Sequence, residues 1–84
     1  MILTADIGNT NITLGIFEGD DIVFVSRLAT QRHRTSEQYA IELNAVFELE
    51  GINKTGFEGA IISSVVPELT RVFKNAIEKV TGCD

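Results

Sequence analysis

The residues whose types and spacing best suit ligand binding lie in the first thirteen positions, where an acidic residue precedes a turn rich in Gly, Asn and Thr. The stretch reads Asp6-Ile7-Gly8-Asn9-Thr10-Asn11-Ile12-Thr13. A polyphosphate needs backbone N–H groups and hydroxyls aimed at it, and a turn of this composition offers both. Asp6 would repel phosphate unless a cation lay between them, and a carboxylate can hold Mg²⁺ through water while the metal bridges phosphate oxygens. We therefore interpret Asp6–Thr13 as a candidate ATP-phosphate site, with Asp6 facing the metal.

The same stretch is also compatible with a plain β-hairpin. Asn and Gly are common in hairpin turns, and Asp6 could bond only to amides of the turn. Other phosphate motifs are missing from the sequence, because no lysine precedes Lys54 and no Gly-x-Gly-x-x-Gly occurs. His33 and Cys83 are the only histidine and cysteine, which makes nucleophilic dyads and zinc sites poor candidates.

Three strands must position this stretch. Short apolar runs at Ile2–Asp6, Ile12–Phe17 and Ile22–Leu28 are separated by turn residues, which predicts an antiparallel meander. Gly8–Asn11 is predicted to form the first turn, because Gly and Asn tolerate the positive φ that many turns use.

The hydrophobic period then changes to that of helices. Thr35 and Gln38 form a capping-box signature, followed by an apolar helical face at Tyr39, Leu43, Val46 and Phe47 and a stop at Gly51. Tyr39 is expected in the core. Glu37, Glu42, Glu48 and Glu50 are expected on the wet face of this helix.

A fourth strand and a second helix complete the order. Gly59–Ser63 predicts a fully buried strand, and Pro67 opens a helix that ends near Gly82. The order βββαβα predicts an α/β sandwich with a mixed sheet. Gly82-Cys83-Asp84 follows the helix directly, where a further buried strand is expected, so we expect a truncated domain.

The charge balance argues against nucleic acid as a partner. The 84 residues hold 12 acidic and 7 basic side chains, for a formal net charge of −5, whereas nucleic-acid binding depends on clustered Lys and Arg. No apolar run is long enough to span a membrane. One cysteine and the absence of a secretion signal at Met1 favour a cytoplasmic location.

Two further groups of polar residues each have more than one interpretation. Arg32-His33-Arg34 is large enough to touch one small anion, and its arginines could instead anchor a partner subunit or lie in a solvated loop. Ser63 and Ser64 end a strand beside the presumed cleft, where they could face a ligand or cap the Pro67 helix.

Three segments resemble type III pantothenate kinases, a family of the actin-like ATPase superfamily with its ribonuclease H-like fold. Asp6-Ile-Gly-Asn-Thr-Asn11 resembles the first phosphate motif of the family. Arg32-His33-Arg34-Thr35 is similar to the segment that leads into its first helix, and Ser63-Ser64-Val65-Val66-Pro67 to its fourth strand and the following turn. The three segments occur in the family's order and span most of the chain.

The resemblance implies transfer of the ATP γ-phosphate to pantothenate, the first step towards coenzyme A. It also implies Asp6–Thr13 around the ATP phosphates, a requirement for Mg²⁺ and a monovalent cation (K⁺ or NH₄⁺), and a homodimer. Residues 1–84 would be the N-terminal part of one actin-like ATPase domain. The family's general base, pantothenate-binding residues and second phosphate motif would lie beyond residue 84, so we expect these residues alone to be inactive.

Two alternatives to this function stay open. Another kinase of the superfamily, such as a sugar or acetate kinase, would share the fold and Asp6 but use a different acceptor. A non-enzymatic regulator, related to transcriptional accessory factors, is the other, although the acidic charge argues against direct DNA contact.

Overall fold

The computed structural model describes residues 1–83. In chain order its elements are β1 (Ile2–Ile7), β2 (Asn11–Glu18), β3 (Asp21–Ala29), α1 (Ser36–Glu50), β4 (Gly59–Ser64) and α2 (Pro67–Thr81). The α/β class and the order βββαβα are therefore confirmed. Observed strand ends differ from the predicted ones by at most one residue, which is within the ordinary uncertainty of element boundaries.

The four strands form one mixed sheet in the order β3-β2-β1-β4. β1 pairs antiparallel with β2, and β2 pairs antiparallel with β3, which confirms the predicted meander. β4 lies parallel to β1 on its other side, after the crossover through α1. This topology, with both helices packed on the sheet, fits the start of the actin-like ATPase fold.

One face of the sheet carries the core. Alternate residues of β1 (Leu3, Ala5 and Ile7) are buried, as strand geometry requires when a single face is covered. They join side chains of both helices in one cluster, which includes Tyr39, Leu43 and Phe47 of α1 and Leu69, Phe73, Ala76 and Ile77 of α2. Tyr39 is fully buried and packs edge-on against Phe73, with ring centroids 5.2 Å apart, which confirms its predicted place in the core.

The prediction that β4 is fully buried is wrong. Ile61 is 62% exposed, while Ala60 and Ile62 are only partly buried. The physical reason is that β4 lies at the edge of the sheet, with β1 as its one neighbour among residues 1–83, and the helices cover one of its two faces.

The helices begin and end where the sequence predicts. The Thr35 side chain accepts from the Gln38 N–H while Gln38 accepts from the Thr35 N–H, which is a complete capping box. Gly51 and Gly82 take left-handed conformations at the two helix ends, with φ of 70° and 75°. Neither helix of the described chain is long and apolar enough to cross a membrane.

The amino terminus is held by two carboxylates. The Met1 amine lies 2.8 Å from Glu58 Oε1 and 3.2 Å from Glu18 Oε2. The hydrogen bond to Glu58 raises the pKa of the amine, and the same bond lowers the pKa of the Glu58 carboxyl. These contacts fix the start of β1 relative to the segment that leads into β4.

Candidate functional site

The Gly8–Asn11 turn closes with a hydrogen bond from the Gly8 N–H to the Asn11 carbonyl, at 2.9 Å. The predicted turn is therefore present, and none of its residues adopts a positive φ. Glycine is favoured at position 8 for a different reason. A Cβ there would lie 3.1 Å from the Asn11 oxygen, so a side chain would press on the backbone of the turn.

Hydrogen bonds occupy three of the four carbonyl groups of the turn, those of Gly8, Thr10 and Asn11. The Gly8 carbonyl accepts from the Thr30 hydroxyl at 2.8 Å, and the Thr10 carbonyl accepts from the Thr30 N–H at 2.9 Å. Within residues 1–83, the N–H groups of Asn9 and Thr10 have no protein acceptor. An exposed turn that presents free donors has the local electrostatics of an anion site.

A polar row crosses the helix-free face of the sheet beside this turn. Thr13 of β2 pairs with Asp6 of β1 on one side and with Arg27 of β3 on the other. Asp6 pairs in turn with Ser63 of β4. Since Leu3, Ala5 and Ile7 face the helices, residue alternation places Asp6 and its row on the opposite face. One carboxylate, one guanidinium and two hydroxyls thus share a single line across four strands.

The predicted site residues separate into two groups. Asp6, Asn9, Thr10 and Asn11 are exposed and Thr13 is half-buried, so their polar groups are accessible. Ile7 and Ile12 are fully buried in the core, and they anchor the two strands rather than face a ligand.

Sequence analysis missed Arg27 as a member of this group. Arg27 immediately precedes Leu28, which pairs with Ile12 and is buried, so the period-two pattern of β3 contains the signal. The pattern identifies the face on which Arg27 lies, but only the strand register shows that Thr13 is its neighbour.

The site fits a metal bound jointly by protein and phosphate. Within residues 1–83, no three His, Cys, Asp or Glu side chains lie close enough to hold a metal ion without another ligand. The exposed Asp6 carboxylate offers one hard oxygen ligand, which suits Mg²⁺ because that ion commonly takes one or two carboxylates plus water and substrate phosphates. The free N–H groups at Asn9 and Thr10 suit the phosphates.

The basic cluster is tied to the protein. Arg32 donates through Nη2 to Asn9 Oδ1 at 2.7 Å and through Nη1 to Glu68 Oε2 at 3.1 Å. Arg34 donates to Glu42 at 2.8 Å, and its guanidinium carbon lies 5.7 Å from the Tyr39 ring centroid. His33 is exposed.

The two serines at the end of β4 differ. Ser63 is exposed on the face that carries Asp6. Ser64 faces the other way, and its hydroxyl accepts from the Val66 N–H and donates to the Val66 carbonyl. Val66 is the N-cap residue of α2 and makes no side-chain capping bond. Ser64 therefore shapes the turn before α2 and does not cap the helix.

Comparison with known proteins identifies one family. The family model described as type III pantothenate kinase matches residues 2–84. The type III pantothenate kinase of Finegoldia magna is 42% identical over 84 residues, and that of Geobacter sulfurreducens is 45% identical over 74 residues. These alignments cover 100% and 88% of this chain, but 32% and 29% of the relatives. The chain thus spans about a third of the length of these curated relatives.

Proposed function

The chain belongs to the type III pantothenate kinase family, and on that premise we propose that it supplies the ATP-phosphate part of an enzyme that phosphorylates pantothenate. One observation carries the proposal. The Gly8–Asn11 turn presents two free N–H groups next to the exposed Asp6 carboxylate. Donors for phosphate and an oxygen ligand for a metal therefore lie together at one end of β1.

In the proposed mechanism, the residues of this chain bind and orient. The Asn9 and Thr10 N–H groups donate to phosphate oxygens, and the Thr10 and Thr13 hydroxyls add neutral donors. Asp6 would hold Mg²⁺ on the helix-free face, and a bound ion would supply positive charge that stabilises the phosphates during transfer. Arg27, across Thr13 from Asp6, adds a positive charge to the same face. Positioning and charge stabilisation account for most of the catalysis of phosphoryl transfer.

We further propose the remaining family properties for the whole protein. They comprise a cytoplasmic homodimer, a requirement for K⁺ or NH₄⁺, and a single actin-like ATPase domain of which residues 1–84 form the N-terminal part. Family membership supports all of them, and the free thiol of Cys83 is compatible with a reducing compartment. Because no general base is identified among residues 1–83, we propose that these residues alone do not phosphorylate pantothenate.

An NMR titration with MgATP tests the phosphate site. We expect amide shifts centred on Gly8 to Thr13, weakened severalfold in Asp6→Asn. Asp20→Asn is the matched control, because Asp20 is also an exposed acid and lies in the turn between β2 and β3. Unchanged Gly8–Thr13 resonances at millimolar MgATP in a folded sample would contradict the proposal, and equal weakening by Asp20→Asn would reduce the role of Asp6 to net charge.

The acceptor is tested on a full-length protein that contains this sequence. We expect ATP-dependent phosphorylation of pantothenate, with sugars and acetate as comparison acceptors. Turnover of a comparison acceptor without turnover of pantothenate would favour another kinase of the superfamily. No turnover of any acceptor by a folded protein that binds MgATP would favour a regulatory role.

A further inference from the structure

The Gly8–Asn11 turn is hydrogen-bonded by a short segment that begins at Thr30, seventeen residues after Thr13. Thr30 and Arg32 between them contact three consecutive residues of the turn, Gly8, Asn9 and Thr10. We call residues 30–32 the strap. Its backbone follows β3 directly, and the pairing of Ala29 with Asn11 brings it alongside the turn.

Each strap contact occupies a hydrogen-bond acceptor of the turn. The Thr30 hydroxyl donates to the Gly8 carbonyl at 2.8 Å, and the Thr30 N–H donates to the Thr10 carbonyl at 2.9 Å. A peptide unit points its N–H and its C=O in opposite directions, so a held carbonyl fixes where the adjoining N–H points. The Asn9 N–H shares its peptide unit with the Gly8 carbonyl, which Thr30 holds directly. The Thr10 N–H shares its peptide unit with the Asn9 carbonyl.

Arg32 secures the remaining residue and links the turn to α2. Its guanidinium donates to the Asn9 side-chain oxygen at 2.7 Å and to Glu68 Oε2 at 3.1 Å. Glu68 lies in the first turn of α2, so Arg32 spans the gap between the turn and the helix. A two-pronged bridge of this kind uses the fixed fork of guanidinium donors, which the single ammonium of lysine lacks.

From these contacts we infer that Thr30 and Arg32 are positioning residues, which hold the N–H groups of Asn9 and Thr10 in the orientation that binds phosphate. The inference rests on the proposed function of the turn and assigns a role to Arg32 that the sequence alone left open. Neither residue needs to touch the nucleotide. Their effect is to order the donors before the ligand arrives, so that less ordering entropy is lost on binding.

The test compares Thr30→Val and Arg32→Gln with wild type in the MgATP titration. Valine keeps the branched shape of threonine without the hydroxyl. We expect a dissociation constant about threefold to tenfold higher in each variant, the range that one net hydrogen bond corresponds to. Thr30→Ser, which restores the hydroxyl, should recover most of the affinity.

Arg34→Gln is the matched control for charge. It removes the same positive charge two residues away, but Arg34 contacts Glu42 and not the turn. We expect its affinity to stay within about twofold of wild type. Equal losses in Arg34→Gln and Arg32→Gln would mean that long-range charge, and not positioning, explains the effect.

A second readout does not depend on ATP. In the free protein, ¹⁵N relaxation should show increased mobility at the Asn9 and Thr10 amides in Thr30→Val and Arg32→Gln, with unchanged mobility in the helices. If the mobility of the Asn9 and Thr10 amides is unaltered in both variants, the inferred positioning role of the strap is wrong, whatever the titration shows. Absence of binding by wild type would instead overturn the proposed function, so the two failures are distinguishable.

Discussion

Tyr39 of α1 holds the strap in place, and removing its hydroxyl tests that support. The hydroxyl donates to the Gln31 carbonyl at 2.9 Å and accepts from the Gln31 N–H at 2.8 Å. Each neutral hydrogen bond contributes about 0.5–1.5 kcal/mol net. Gln31 is exposed, so water can replace part of what is lost. We therefore expect Tyr39→Phe to lower the free energy of unfolding by about 1–2 kcal/mol.

The aromatic packing should survive this change. Phenylalanine keeps the edge-on contact with Phe73, so Tyr39→Phe creates no cavity. Tyr39→Leu, which also loses the ring, should cost about 3 kcal/mol and serves as the comparison.

Urea unfolding measures both losses, and hydrogen exchange at the Gln31 amide reports the bond itself. We expect faster exchange of this amide in Tyr39→Phe and an unchanged denaturant slope. An unfolding free energy within about 0.3 kcal/mol of wild type, together with unaltered Gln31 exchange, would refute the reasoning, because a bond of net value should show in one of the two.

Two further predictions concern the ends of elements. Thr35→Ala removes the N-cap of α1 and should cost about 1 kcal/mol in urea unfolding, whereas no loss would show that the capping box is not formed. The Met1–Glu58 contact should make stability depend on pH at both extremes. The raised pKa of the amine means that its contribution is present below its ordinary value of 8.0 and is lost as pH rises through the raised value. The lowered pKa of Glu58 means that its contribution is present above 4.5 and is lost as pH falls. Glu58→Gln should flatten both limbs in thermal melts, and a variant as pH-sensitive as wild type would contradict the assignment.

Local chemistry made most of the fold predictable. The capping box at Thr35 and the stop at Gly51 need only neighbouring residues, and the structure contains both. The exposure of β4 was not predictable in this way. A run such as Gly59–Ser63 looks the same whether it has one neighbouring strand or two, because the number of neighbours depends on topology and not on the run itself.

In the candidate site, too, features set by neighbouring residues were predictable, and features set by topology were not. The turn of Gly8–Asn11 and the acid before it are contiguous, so their composition was visible in sequence. The contacts of Arg32 with Asn9 and Glu68 join residues 23 and 36 positions apart. They exist because β3 returns antiparallel to β2 and because α2 begins close to the turn. The closeness of Arg32 to Asn9 and to Glu68 in space cannot be inferred from residue types alone.

The position of Asp6 is set by the core rather than by the site. β1 alternates strictly, with Leu3, Ala5 and Ile7 at 2% exposure or less and Asp6 exposed between the last two. A one-residue slip of β1 would turn Asp6 into the core and bring three apolar side chains out. Burying an unpaired carboxylate costs several kcal/mol, and exposing the apolar residues adds to that cost. The same burial that stabilises the sheet therefore holds the carboxylate on the helix-free face, in register with Thr13 and beside the turn, before any ligand binds.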